Sequence, residues 1–300
     1  MMSIWLLRVA WITLPVTAGR AAGDALAPWS VAPRVTAEVL LWLLWVVVLV
    51  ATLAPRPTSL TAARTGVPLA LATTVLALAT GRVTTLPAVA ALSAALACAV
   101  LVARPGFARA CAQGAAYGDE ERFPVKVPPV LFLGILPLAV LAVGAGLASA
   151  PLLLAADRIV AGSAALVVGL PIAAALLRSL HLLSRRWVVL VPAGLVIADP
   201  MTLTDPVLFV REHILGLGPS DPTRRAPEDA ADLRLGAAIG SLALLLDEDL
   251  DLLRRRGRGT HRARCHLILV TPVASRELLD HAAALRIPVQ RSATKATNTG

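Results

Sequence analysis

Runs of about twenty apolar residues, broken by short loops that carry arginine, most limit how this chain can fold. An α-helix needs about 20 such residues to cross the hydrocarbon core of a bilayer. Hydrophobic residues make up 57% of the chain and charged residues 16%, against roughly 25% charged in a typical soluble domain. The clearest run covers residues 36–54, and we expect its Trp42 and Trp45 to pack against other helices. The first part of the chain is therefore predicted to lie in a membrane.

Six apolar segments are candidate membrane spans. The run 67–103 is too long for one crossing and is interrupted at Gly81 and Arg82, which predicts a tight helical hairpin. Glycines in the fifth segment favour close helix packing without a strict GxxxG motif. The candidate spans lie near residues 4–19, 36–54, 67–80, 86–103, 128–150 and 159–177. A membrane α-helical bundle of five or six transmembrane helices is thus predicted over residues 1–184.

The first segment, residues 4–19, is open to three interpretations. Arg8 lies inside the apolar run and nothing basic precedes it, whereas a secretory signal peptide has its positive charge ahead of the run. Pro15 would distort a helix here. A short membrane span, an interfacial helix and a cleaved signal peptide all remain alternatives, so the crossing count is five or six.

Basic residues predict the orientation of the bundle. Arginine and lysine are retained in cytoplasmic loops, and they are concentrated in loops 56–66 and 104–127 and after the last span. The C-terminal half is therefore expected in the cytoplasm of a multi-pass cell-membrane protein. At the boundary, Arg185, Arg186 and Trp187 are predicted to act as a membrane-interface anchor.

After Trp187 the pattern changes to that of a small strand-rich domain over residues 185–300. Residues 188–191 and 195–198 flank the turn Pro192-Ala193-Gly194, which is typical of a hairpin. Residues 241–246 and 266–270 are predicted as strands separated by an exposed charged arm. Further strand candidates are 207–210 and 214–217. Leu278, Leu279, Ala282 and Leu285 at helical spacing predict a C-terminal helix over 274–286.

This C-terminal half resembles the bacterial pleckstrin-homology-like (PH-like) domain. The resemblance rests on the segments 186–199 (RWVVLVPAGLVIAD), 206–211 (PVLFVR) and 268–273 (ILVTPV) ahead of the helix. It covers about the last 115 residues, and the whole chain resembles uncharacterised multi-pass membrane proteins of GC-rich Gram-positive bacteria. The resemblance implies a small α+β fold that binds or scaffolds. Residues 226–238 depart from the pattern, since they could form an inserted helix.

Six arginines between two predicted strands form the most conspicuous cluster. On a cytosolic domain tethered to the bilayer, they could contact anionic lipid headgroups, at about 1 kcal/mol per residue near the surface. The alternative is a solvated loop partly balanced by the acidic run 247–251. Without interleaved aromatic residues, base stacking and hence nucleic-acid binding are disfavoured. The six are Arg254, Arg255, Arg256, Arg258, Arg262 and Arg264.

No metal or cofactor site is predicted. His261, Cys265 and His266 lie close in sequence, but neighbouring residues of a strand point to opposite faces, so Cys265 and His266 should not share an ion. The acidic run 247–251 lacks the spacing of an EF-hand and is interpreted as a solvated turn. His181, just inside the last span, is expected at the interface rather than in a proton relay.

The sequence predicts a non-enzymatic protein. No Walker lysine, Gly-rich dinucleotide loop, nucleophile elbow or HExxH occurs in it. We expect a binding or scaffolding element at the cytoplasmic face, whose partners are the lipid bilayer, anionic headgroups or a cytosolic protein. The alternatives are an enzyme that uses residues of the cytoplasmic loops, or a permease without charged intramembrane residues. Such a permease would be lined by Thr73, Thr74, Ser93 and Ser163.

Overall fold

A computed structural model describes residues 2–223, 226–227, 229–256 and 259–290. The chain divides into two compact units, and neither is continuous in sequence. The helical unit comprises Met1–Gly114 and Gly134–His181, and the sheet unit comprises Ala115–Leu133 and Leu182–Gly300. Residues 115–127 were predicted within a cytoplasmic loop and residues 128–133 as the start of the fifth span, but both belong with the C-terminal half.

Seven α-helices build the described part of the helical unit. Five of them are long and apolar enough to cross a membrane, which indicates a multi-pass membrane protein. These five are α2 (Val31–Leu53), α3 (Pro57–Ala79), α4 (Thr85–Ala103), α6 (Leu136–Ala155) and α7 (Ile159–Ser184). The other two are α1 (Met2–Leu26) and the short α5 (Pro105–Gln113), and a π-helical turn at Leu131–Ile135 leads into α6. The turn between α3 and α4 lies at Gly81 and Arg82, as predicted for the hairpin.

Helix α1 extends beyond the predicted segment and packs within the bundle. Its 25 residues correspond to about 37 Å at 1.5 Å rise per residue. Leu7, Trp11 and Leu14 are buried among residues of α2, α3 and α4. The guanidinium of Arg8 donates to the carbonyl of Thr52 at 2.7 and 3.1 Å, which satisfies an acceptor in the last turn of α2. Helix α1 is not among the five helices that are long and apolar enough to cross a membrane, so the membrane-span interpretation of residues 4–19 stays a prediction.

Two close contacts fix helix pairs in this unit. Trp11 and Trp45 each donate an indole N–H to the other's backbone carbonyl, at 2.9 and 3.0 Å, so Trp45 packs against another helix as predicted. Helices α6 and α7 cross at Gly146 and Gly169, where a Cβ on Gly146 would lie 2.7 Å from the carbonyl oxygen of Gly169. The close glycine packing predicted for the fifth segment is confirmed at Gly146.

The sheet unit contains two four-stranded sheets around one hydrophobic core. The first sheet has the antiparallel order β1-β2-β3-β4, and the second has the order β5-β7-β8-β6, with β6 parallel to β8. Helix α8 (Ser275–Ala284) contributes Leu278 and Ala282 to the same core. The strands are β1 (Glu121–Pro124), β2 (Trp187–Val191), β3 (Gly194–Ala198), β4 (Val207–Val210), β5 (Ile214–Pro219), β6 (Ala230–Asp232), β7 (Leu242–Arg256) and β8 (Gly259–Val270).

Two sequence predictions for this half need correction, and one strand was missed. The supposed arm between the last two strands is itself strand, because β7 and β8 stay paired from Leu242 and Val270 out to Arg256 and Gly259. The helix considered within 226–238 is absent from its described residues, where Ala230–Asp232 pairs with β8 instead. Strand β1 was not predicted, since it is four residues long and lies in a charged loop. The hairpin of β2 and β3 and the strands at 207–210 and 214–217 are confirmed.

Candidate functional site

The β7–β8 hairpin sorts the predicted arginine cluster onto two faces. Directly opposite residues of an antiparallel pair share a face, and neighbouring residues alternate. Leu252 and Cys265 are buried on the inner face, and the register places Arg254 with them. The outer face carries Arg255, Arg262 and Arg264, together with Leu253 and Asp251.

Arg254, the arginine on the inner face, has a structural role. Arg254 donates through Nη2 to the backbone carbonyl of Asp232 at 2.8 Å. The Asp232 carboxylate accepts two bonds from the Arg234 guanidinium, at 2.8 and 2.9 Å. Burial alone would raise the pKa of Asp232, but these hydrogen bonds outweigh it and lower the pKa below its ordinary value. Arg254 therefore ties β7 to the end of β6.

The three outer-face arginines are exposed and differ in how firmly they are held. Arg255 donates through Nε to the carbonyl of Leu203 at 3.2 Å, and Arg264 pairs with Asp249 at 3.2 Å. Arg262 makes no hydrogen bond or ion pair to any described residue. Leu253, 45% exposed, lies among them. The outer face thus combines three solvated guanidinium groups with one apolar side chain and the carboxylate of Asp251.

Two of the six predicted arginines cannot be assigned to a face by contacts. Arg256 belongs to strand β7, but its side chain lies outside the described part of the structure. Arg258 lies wholly outside the described residues. The structure therefore brings together three of the six on one surface and places Arg254, partly buried, on the opposite face of the hairpin.

The acidic run is part of a strand rather than a turn. It coincides with an irregularity in β7 between Leu245 and Leu250. Asp247 accepts a hydrogen bond from His213 at 3.0 Å, and this bond raises the pKa of His213. Asp249 lies 3.3 Å from His266. Asp249 also pairs with Arg264 at 3.2 Å, and Asp251 lies opposite Arg264 in the hairpin. The acidic run therefore offsets part of the charge of the outer-face arginines.

Cys265 and His266 point to opposite faces, as the strand alternation predicts. The Cys265 thiol is buried, and burial raises its pKa, whereas His266 is partly exposed beside Asp249 and Asp229. Within the described ranges, no group of three or more His, Cys, Asp or Glu side chains has a metal-binding arrangement.

Arg186 lies inside the sheet unit instead of at the interface where the sequence suggested an anchor. Its side chain is 0% exposed and that of Asp199 is 2% exposed. The two form a bidentate ion pair with N–O distances of 2.7 and 2.9 Å. The guanidinium also donates to the carbonyls of Leu233 at 2.9 Å and Lys126 at 3.3 Å. Arg186 thereby joins the 115–133 segment to the C-terminal strands.

Trp187 is likewise buried rather than solvent-facing. Its indole N–H donates to the carbonyl of Ser184 at 3.1 Å, and the Arg122 guanidinium lies 5.0 Å from its ring centroid. Of the three predicted anchor residues, only Arg185 is exposed. The anchoring role therefore remains a prediction for Arg185.

The polar residues suggested as a permease lining do not come together. Thr73 and Thr74 line a cleft between α1, α2 and α3. Ser93 and Ser163 are exposed on α4 and α7 and are not among the residues that line it. His181 lies 3.0 Å from the hydroxyl of Thr61, a contact between α7 and α3.

No family model, no curated protein and no solved structure matches this chain. The candidate site therefore rests on geometry: an exposed basic face with one apolar residue, carried on a long hairpin of the sheet unit.

Proposed function

We propose that this multi-pass membrane protein is a non-enzymatic binding or scaffolding element at the cytoplasmic face of the cell membrane. The sheet unit is its binding part and has a PH-like fold. Two sheets around one core, closed by a C-terminal helix, support that interpretation. The observation that carries the proposal is the outer face of the β7–β8 hairpin, with Arg255, Arg262 and Arg264 exposed together.

The chemistry of this face suits anionic headgroups. Each basic residue near an anionic leaflet contributes about 1 kcal/mol, and arginine can bind a phosphate through two N–H groups at once. Leu253 adds an apolar side chain that can enter the headgroup region. Since Asp249 pairs with Arg264 and Asp251 lies opposite it, both acids offset the charge of Arg264. The three arginines together should therefore contribute about 2 kcal/mol.

The cytoplasmic orientation is supported by charge and by connectivity. The loop after α4 carries arginine and the last span is followed by Arg185, as expected for the cytoplasmic side. Residues 115–133 and 182–300 are separated by α6 and α7. Two crossings return the chain to the same side, so both segments of the sheet unit can meet there.

The test is capture of anionic vesicles by the full-length protein held in phosphatidylcholine nanodiscs. We expect flotation with vesicles that contain phosphatidylglycerol and none with phosphatidylcholine alone. Changing Arg255, Arg262 and Arg264 to Gln should weaken capture roughly thirtyfold, because about 2 kcal/mol is lost. Higher salt should weaken the wild type in the same direction.

A matched control variant distinguishes the effect of the outer face on vesicle capture from the effect of net charge. Arg211, Arg276 and Arg286 are exposed elsewhere on the sheet unit, and changing all three to Gln removes the same charge. Capture by this control should stay within a few-fold of wild type. Equal losses in the two triple variants, or no capture by the wild type, would contradict headgroup binding by the outer face.

A further inference from the structure

Helices α1, α2 and α3 enclose a cleft of about 240 Å³ in the helical unit. Its floor is the Trp11–Trp45 pair near the middle of these helices. Leu26 at the end of α1 and Glu38 near the start of α2 lie toward its other end. The cleft therefore runs from the middle of the bundle to the end opposite the α2–α3 connection.

The lining offers acceptors and aromatic rings. The indole N–H groups of Trp11 and Trp45 are used in their reciprocal bonds to backbone carbonyls. The hydroxyls of Thr73 and Thr74 both donate to the carbonyl of Ala70, at 3.0 and 2.7 Å, so their oxygens can only accept further bonds. Most of the remaining lining is Leu, Ala, Gly and Pro. A ligand in the cleft would therefore contact a mainly apolar wall that also carries tryptophan rings and two hydroxyl oxygens able to accept hydrogen bonds.

Glu38 is the one titratable group among the described residues that line the cleft. One carboxylate oxygen accepts from Arg34 at 2.9 Å, and the two side chains are 42% and 44% exposed. An exposed i,i+4 pair of this kind contributes only about 0.3–0.5 kcal/mol, so Arg34 is readily displaced. The ring of Trp42 is 55% exposed and lies edge-on to Trp45 at 5.5 Å.

We infer that this cleft binds a single-chain cationic amphiphile, with its ammonium group between Glu38 and Trp42 and its alkyl chain along the leucines of α1 and α2. The carboxylate supplies the opposite charge, and an indole face attracts an ammonium within about 6 Å. The volume is below the roughly 300–1,000 Å³ of drug-sized ligand sites, which suits one narrow chain.

Calorimetric titration of the full-length protein in phosphatidylcholine nanodiscs tests this inference, with empty nanodiscs as background. Decyltrimethylammonium should bind saturably, and decyl sulfate, which has the same chain and the opposite charge, should not. Glu38→Gln should weaken binding at least about tenfold because a charged partner is lost. Trp42→Ala should weaken it roughly two- to five-fold.

Arg34→Gln is the decisive control. It breaks the same Arg34–Glu38 ion pair as Glu38→Gln, but it leaves the carboxylate without its competitor. Binding should therefore be as tight as in the wild type or tighter. A loss equal to that of Glu38→Gln, saturable binding of decyl sulfate, or no saturable binding of the ammonium would each overturn the inference.

Discussion

A fragment that contains only residues 182–300 is expected to fail to fold, whereas the same fragment joined through a Gly/Ser linker to residues 115–133 should unfold cooperatively. Strand β1 pairs with β2 along its whole length. Phe123 and Val125 are buried in the core, and burying each side chain is worth about 1.5–3 kcal/mol. Losing the burial of both side chains removes a large part of the 5–15 kcal/mol that is typical for the free energy of unfolding of a domain.

Backbone hydrogen bonds add to this loss. Val125 donates to the carbonyl of Arg186, Lys126 donates to that of Thr271, and Val273 donates to that of Pro124, all at 2.8–2.9 Å. Without residues 115–133 these groups lose their partners and β2 becomes an exposed edge, which favours aggregation.

Circular dichroism during thermal and urea unfolding provides the measurement. In the joined fragment, Phe123→Ala should lower stability by about 3–5 kcal/mol, and a scrambled 115–133 segment should give no cooperative transition. If residues 182–300 alone unfold cooperatively at the same midpoint as the joined fragment, the two-segment sheet unit is wrong.

The second large effect is expected at the buried Arg186–Asp199 pair. Asp199→Ala should destabilise the sheet unit by about 3–5 kcal/mol, because it leaves a buried guanidinium without its counter-charge. Asp199 also accepts a hydrogen bond from the backbone of Met201 at 3.0 Å, so the turn after β3 should loosen too. Urea unfolding of the joined fragment, or of the full-length protein in detergent, measures the change.

A double variant distinguishes charge burial from simple loss of contacts. Arg186→Met with Asp199→Leu should be less destabilised than Asp199→Ala, since no unpaired charge remains buried. It should not reach wild-type stability, because the carbonyls of Lys126 and Leu233 lose their donor. As a surface comparison, Glu212→Ala breaks the exposed Arg211–Glu212 pair and should leave the midpoint unchanged. Additive losses at Arg186 and Asp199 would contradict this account.

Apolar runs and turn residues correctly predicted the helices and the hairpin that such short patterns can identify. The spans near 36–54 and 86–103 agree closely with α2 and α4, because apolar length alone identifies such helices. The β2–β3 hairpin follows from the turn at residues 192–194. Strand β1 escaped prediction because its partner β2 lies more than sixty residues away, and no property of four residues reveals so distant a pairing.

Arg186 shows where an available signal was overlooked. Arginines after an apolar run usually mark the stop at the membrane interface, and that pattern predicts an anchor at residues 185–187. The hairpin register pairs Trp187 with Ala198, and one step further it places Arg186 opposite Asp199. Opposite charges at facing positions predict a pair. The burial of that pair depends on Lys126 and Leu233, which sequence alone could not have brought there.

Sequence composition reveals the arginine cluster, but it does not reveal that the arginines lie on two faces of a hairpin. Treating residues 247–264 as a charged arm removed the strand alternation that separates Arg254 from Arg255 and Arg262. The cleft beside Glu38 is a further case, since its three walls come from α1, α2 and α3 and only their packing creates it.

We propose that the two separate segments of the sheet unit lie together on the cytoplasmic side of the membrane, and labelling from each side tests this most directly. Single cysteines at Tyr117, Leu215 and Arg158, all exposed positions, can be labelled with a membrane-impermeant maleimide in intact and permeabilised cells. The native cysteines are buried and should contribute little background. We expect positions 117 and 215 to react only after permeabilisation, and position 158, in the turn between α6 and α7, to react in intact cells. Reaction of positions 117 and 215 from opposite sides of the membrane would contradict it.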